Sequence, residues 1–292
     1  MLRHVVSIVS GGASGLGAAT SAAIVRHGGR VVVADLPTKR NDFLRLASAS
    51  CADAAVGEGI TNETSCDKTS SRDSWERSAT VAEGPVIAFA EADVTDENQL
   101  SAALDLAEEK FGESVNVAVS CAGIALARKT LSLKKAQRVH SLMDFSNTLQ
   151  INTVGTFNLA RLSAERMAGR DPDAEGMRGC IINTASIAAF EGQTGQVAYA
   201  ASKGAIVGMT LPLARDLAPH GIRVMTVAPG LFKTPLLENL PESVQADLGA
   251  MVPCPSRLGD PREFGKLVVS ILTNPMLNGE VIRLDGALRM PP

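Results

Sequence analysis

Tyr199 is the only tyrosine in the chain, and Lys203 follows four residues later in "AYAASKG". On a helix, positions i and i+4 share one face, so the phenol and the ammonium would project together. A free phenol has a pKa of about 10 and is a poor base at neutral pH. A neighbouring positive charge favours the phenolate and would make Tyr199 a usable acid/base. An isolated pair of this kind also fits a half-buried tyrosine beside a solvated lysine, so the rest of the chain decides. Ser186 closes an apolar run, "GCIINTAS", a short way before Tyr199. Asn152 sits in "LQINTVGTF", inside a helical pattern where asparagine is not favoured. Asn152, Ser186, Tyr199 and Lys203 are therefore the candidate reacting groups.

A second constellation handles phosphate. "SGGASGLGAAT" places Gly11, Gly15 and Gly17 after an apolar strand and before an alanine-rich helix. Glycines there allow a tight turn and close approach to a pyrophosphate, whose charge sits at the helix N-terminus. Asp35 ends the next apolar run, where a carboxylate accepts hydrogen bonds from an adenosine ribose and repels a 2′-phosphate. No basic residue follows directly in "DLP", and Ser14 in the loop is not basic, so NAD is favoured over NADP. Asp93 and Val94 follow a third apolar run and would flank the adenine. Cys121 and Gly123 follow a fourth, where the dinucleotide would pass close to backbone. Each also fits an ordinary exit from strand to loop.

Positioning these residues takes an alternating framework. Apolar strands are predicted near 5–10, 30–35, 85–93, 115–120, 179–186, 221–230 and 279–286, with helices near 96–111, 143–169, 196–218 and 261–273. Strands separated by helix-length crossovers imply a Rossmann-type, doubly wound parallel sheet of seven strands in a single α/β domain. Residues 38–84 run longer than one connection needs and turn polar, with the only tryptophan, Trp75, inside them. They read as a helix followed by a surface insertion. Residues 229–256, apolar and broken by prolines, fit a substrate lid or an ordinary surface loop.

Composition narrows the function classes. The chain is 45% hydrophobic with a mean hydropathy of +0.11, enough to build a core. A net charge of −3 gives no support to nucleic-acid binding. Five scattered cysteines without C-x-x-C spacing suggest reduced thiols, and four histidines lack metal-ligand spacing, so no metal is expected. No apolar run is expected to reach membrane-spanning length. Only four residues precede the first strand, too few for a cleavable leader but compatible with an uncleaved one. Arg128, Lys129, Lys134, Lys135 and Arg138 form a basic cluster that suits either a solvated face or the phosphates of coenzyme A.

The glycine loop, Asn152, Ser186 and the Tyr199/Lys203 pair together resemble the short-chain dehydrogenase/reductase family, over residues 5–37 and 86–291. The resemblance implies that Tyr199 is the acid/base, Lys203 its partner, Ser186 the hydroxyl that orients substrate and Asn152 a relay residue. It carries cofactor contact to Ser14, Leu16, Asp35, Asp93, Val94, Cys121, Pro229, Phe232 and Thr234, with Tyr199 and Lys203 also reaching NAD. Substrate contact is carried to Gln193, Ser186 and Tyr199. The segments "INTASIAAFEGQTGQVAYAASKG", "PSRLGDP" and "NGEVIRLDGALRMPP" are similar to mitochondrial, homotetrameric members that oxidise 3-hydroxyacyl-CoA with NAD. That likeness implies the same activity here, with steroid or other secondary-alcohol oxidation as an alternative. A scaffold role in mitochondrial tRNA processing is a further alternative. The chain departs from those members at its long 38–84 connection and at Lys233.

Overall fold

A computed structural model describes residues 1–57, 80–81, 84–133, 138–238 and 240–292. Seven parallel strands form one sheet: β1 (Val6–Ser10), β2 (Arg30–Asp35), β3 (Ile87–Glu91), β4 (Val117–Ser120), β5 (Gly179–Thr184), β6 (Ile222–Pro229) and β7 (Val281–Leu284). Their spatial order is β3-β2-β1-β4-β5-β6-β7. The order reverses between β1 and β4, and Val9 pairs with Val33 on one side and Val119 on the other. That reversal opens a crevice at the carboxyl ends of the strands, where ligands bind in open α/β sheets. Every residue of β1, β4 and β6 is buried, which explains why these strands read as continuous apolar runs rather than alternating ones.

Helices cover both faces. Helix α1 (Gly15–Arg26) packs on α9 (Pro261–Thr273), and α2 (Arg40–Gly57) lies beside α1. This face buries Val9, Val33, Ile24, Phe43, Phe264 and Val268. The other face carries α3 (Glu97–Phe111) and α5 (Gly155–Ala168), which close over Ile8, Val32, Leu100, Leu159 and Ile181. The Asp96 carboxylate caps α3 by accepting from the Asn98 and Gln99 N–H groups, and Gly112 ends it in a left-handed conformation. Helix α6 (Val197–Leu217) packs on β6 and on α4 (Leu142–Leu149).

Two expectations need correction. The single helix expected over 143–169 is α4, a five-residue π-helical stretch at Gln150–Val154, and α5. Asn152 lies inside the π-helical stretch, with its side chain committed to the backbone of Ile124. The span Val197–His220 does reach membrane-crossing length and apolarity, with a hydropathy of 1.2. It lies against β6, α4 and the turn after β5, so the fold accounts for its apolar character. The 38–84 segment begins as α2, while residues 58–79, with Trp75, lie outside the described residues. Thr80–Val81 and Gly84–Pro85 pair as a short antiparallel ladder. The 229–256 segment carries two short helices, α7 (Pro235–Glu238) and α8 (Glu242–Ala250).

Candidate active site

The glycine loop joins β1 to α1 at the crevice. Gly11 has φ 64° and its N–H donates to Ala34 O at 2.8 Å; a Cβ there would stand 2.7 Å from Ala122 N. Gly17 is held by space instead, since its Cβ would lie 2.1 Å from Gly11 O. Gly15 has φ 53° and faces Thr234, with 3.5 Å between the position of a Cβ and Thr234 Cγ2. Ser14 caps α1 in extended conformation without spending its hydroxyl on the helix. Leu16 packs toward the core. The loop is thus a backbone cradle at a helix N-terminus, and its residues fit a pyrophosphate.

Asp35 is buried beside this cradle. Its Oδ2 accepts from Ala13 N–H at 3.0 Å and its Oδ1 from Leu36 N–H at 2.9 Å, which fixes the carboxylate against the loop. Asp93 spends Oδ1 on the Thr95 N–H and hydroxyl. Val94 is buried under Gly155, whose Cβ would meet Val94 Cγ2 at 2.5 Å. The Cys121 N–H donates to Ser10 O, and its thiol lies 3.7 Å from the Thr184 hydroxyl. Burial pushes that thiol up to about 11, so it stays protonated at neutral pH.

Around Tyr199 the four candidate reacting groups meet. Ser186 follows β5, and its Oγ accepts from Ala188 N–H at 3.1 Å, shaping a 3-10 turn at Ile187–Ala189. The Ser186 hydroxyl lies beside the Tyr199 phenol and draws its pKa down, against a larger upward push from burial. In the unliganded chain this upward balance holds the phenol protonated. Lys203 Nζ donates to Thr184 O at 2.8 Å and lies 5.9 Å from the Tyr199 ring centroid. Burial lowers Lys203 to about 8. Gly123 brings backbone close to both, since a Cβ would lie 3.0 Å from Asn152 Oδ1 and 3.6 Å from Lys203 Nζ.

Asn152 is fully engaged as a donor. Its Nδ2 donates to Ile124 O and to Ser202 Oγ, each at 2.9 Å, while Oδ1 accepts from Ile124 N–H at 2.8 Å. Ser202, which the sequence did not single out, donates onward to Tyr199 O at 2.7 Å. Its position three residues after Tyr199, on the same helix, was the signal available.

Other candidates sit differently. The Phe232 ring is buried against Gly259, whose Cβ would come within 2.7 Å of it, so contact with a dinucleotide from this position falls to its backbone. The Gln193 amide donates to Pro291 O at 3.2 Å, which commits it to the C-terminal segment. Pro229 ends β6 opposite Leu284. Lys233 is exposed, and its N–H donates to Gly259 O. Within the basic cluster Arg128 pairs with Asp144 at 3.1 Å, while Lys134 and Lys135 lie outside the described residues. Among the described residues, no group of three or more His, Cys, Asp or Glu could hold a metal ion.

The short chain dehydrogenase profile matches residues 47–245, and the chain belongs to that family, whose members are oxidoreductases that use NAD or NADP. Its full length aligns with 3-hydroxyacyl-CoA dehydrogenase type-2 of Homo sapiens at 52% identity, covering 100% of this chain and 97% of that one. The type-2 enzyme of Drosophila melanogaster is 47% identical, with 100% of both chains covered. The crystal structure of 3-hydroxyacyl-CoA dehydrogenase type-2 from Mycobacterium avium superposes with a TM-score of 0.79 at 35% identity, covering 99% of this chain and 97% of that one.

Proposed function

We propose that the protein interconverts 3-hydroxyacyl-CoA and 3-oxoacyl-CoA with NAD, using Tyr199 as acid/base. The observation that carries this reading is the convergence of the Ser186 hydroxyl and the Tyr199 phenol from different elements, with Lys203 anchored behind them on Thr184 O. Two hydroxyls from different elements converge there, so both can bond one carbinol oxygen. The nicotinamide of a bound dinucleotide supplies the hydride acceptor. All proton handling falls to the chain.

In oxidation, Tyr199 Oη takes the substrate hydroxyl proton while Ser186 Oγ holds the same oxygen. Lys203 keeps N–H bonds beyond the one given to Thr184 O, and these stabilise negative charge on the phenol and bond a nicotinamide ribose. Both Asn152 N–H bonds are spent, so we assign it the work of fixing Ile124 and Ser202 rather than carrying a proton by its amide. Asp35, buried and tied to Ala13, favours an unphosphorylated ribose. Identity to the type-2 dehydrogenases supports a coenzyme A thioester as substrate.

The same proposal includes residues 229–256 as the lid and a homotetrameric, mitochondrial enzyme. Exposed apolar residues on α5 and α6, among them Phe157 at 42% and Val197 at 50%, support self-association. Initial rates with NAD across acyl-CoA and uncharged secondary alcohols test the substrate. A preference for an uncharged alcohol would overturn the thioester assignment, and light scattering that finds a monomer would overturn the assembly.

A further inference from the structure

The turn that bears Ser186 runs on through Phe190, Glu191 and Gln193 before α6 delivers Tyr199. Glu191 has no part in the chemistry above, yet it is the most heavily bonded acid near the site. Its carboxylate accepts from Arg283 Nη1 at 2.8 Å and Nη2 at 3.2 Å, and from the Met290 N–H at 3.1 Å; Arg289 Nε stands 3.3 Å away. Arg283 extends the link: its Nε donates to Asp285 Oδ2 at 2.7 Å and its Nη2 to Leu288 O at 3.0 Å. Its guanidinium also lies 5.3 Å from the Phe190 ring centroid.

Packing repeats the connection. Ile187, directly after Ser186, is buried with Leu288 and Val252, and Leu231 and Met290 close the cluster. The Cys254 N–H donates to Gly286 O at 3.2 Å. The C-terminal segment 285–291 therefore joins the serine turn on one side and the 229–256 segment on the other. Apolar contact alone resists separation but tolerates rotation. A two-pronged guanidinium–carboxylate pair adds direction.

We propose that Glu191 is a positioning residue, which holds the turn bearing Ser186 against the C-terminal segment and so sets Ser186 Oγ relative to the Tyr199 phenol. It rests on the reading that Ser186 and Tyr199 share the reacting oxygen. The Glu191 and Arg283 side chains are only 21% and 22% exposed and pair in two-pronged fashion within a network, so the pairing adds to stability as well. Its effect on rate comes through geometry, where displacements of about 1 Å are costly.

The test uses full-length Glu191→Gln, Arg283→Gln and the double variant. Measurements are kcat, KM, the Kd for NADH, Tm and amide hydrogen exchange across residues 186–196. We expect kcat to fall roughly tenfold in each single variant, with Kd nearly unchanged, Tm modestly lowered and faster exchange at Ala188–Glu191. The double variant should lose less than the product of the two single effects, because the Glu191–Arg283 link is broken in all three. Unchanged kcat and exchange would overturn the proposal, as would parallel loss of kcat, cofactor affinity and Tm. If the wild type turns over no 3-hydroxyacyl-CoA, the substrate reading fails, while the exchange result still decides the role of Glu191.

Discussion

Lys203 Nζ stands 5.9 Å from the Tyr199 ring centroid and donates to Thr184 O, so the last residue of β5 sets the distance between ammonium and phenol. The lysine is placed by the sheet, and the tyrosine by the helix that crosses it.

Tyr199→Phe removes the titrating hydroxyl and keeps the ring. We expect kcat to drop by at least about a hundredfold, in line with loss of general acid–base catalysis, with the Kd for NADH little changed. In the wild type, burial raises the phenol, so kcat/KM for oxidation should climb with pH through the neutral range. Stopped-flow rates and fluorescence titration check both; a half-active phenylalanine variant would refute the role.

Lys203 links pH to stability. Its folded pKa of about 8 lies below the ordinary 10.5, so between these values the unfolded chain binds the extra proton. The Lys203 contribution to stability of the unliganded protein should therefore rise with pH across that window, by about 1.4 kcal/mol per unit at most. Tyr199 above its ordinary 10, and the Cys121 and Cys180 thiols between their ordinary 9 and about 11, are shifted upward by burial and oppose this rise. Urea titrations at about pH 7.5 and about pH 9.5 should show the wild type gaining stability relative to Lys203→Met as pH rises, since both carry the same thiols and differ in the lysine.

Asp35→Ala should narrow the preference for NAD over NADP. The carboxylate is buried and held by Ala13 and Leu36, so it cannot swing away from an added 2′-phosphate. The ratio of kcat/KM for the two cofactors is the measurement, and a wild type that prefers NADP would contradict the assignment.

Gly17→Ala places a methyl 2.1 Å from Gly11 O, a backbone atom without a way to yield except by moving the loop. Cofactor Kd should rise by roughly tenfold or more, since the cradle depends on that close approach. Isothermal titration with NADH checks it. Gly112→Ala, at a helix end with nothing near its Cβ, serves as a control that alters stability without altering Kd.

Much of this arrangement was legible in the sequence because parallel strands leave uninterrupted apolar runs. "VVSIVS", "RVVVAD" and "VNVAVS" each fall on an observed strand, and the glycine spacing falls on the strand-to-helix turn it requires. Asn152 signalled a local disturbance correctly, but only coordinates reveal a widened turn, because helical periodicity looks the same on either side of one extra residue. The links from Ser202 to Asn152 and from Glu191 to Arg283 join positions 50 and 92 residues apart. No local pattern announces such pairs. The partial commitment of Gln193 and the inward turn of the Phe232 ring were hidden for the same reason.

The widened turn at Gln150–Val154 also acts as a phase shift between two helices that share nearly one axis. One residue beyond the ordinary repeat rotates everything upstream by about 100°. Through that offset α4 presents itself to α6, while α5 presents itself to the sheet and α3. Removing a single residue there would leave a continuous and locally contented helix. It would also turn Asp144 away from Arg128 and aim the apolar side of α4 at the wrong neighbour. This stretch has to keep its length as well as Asn152.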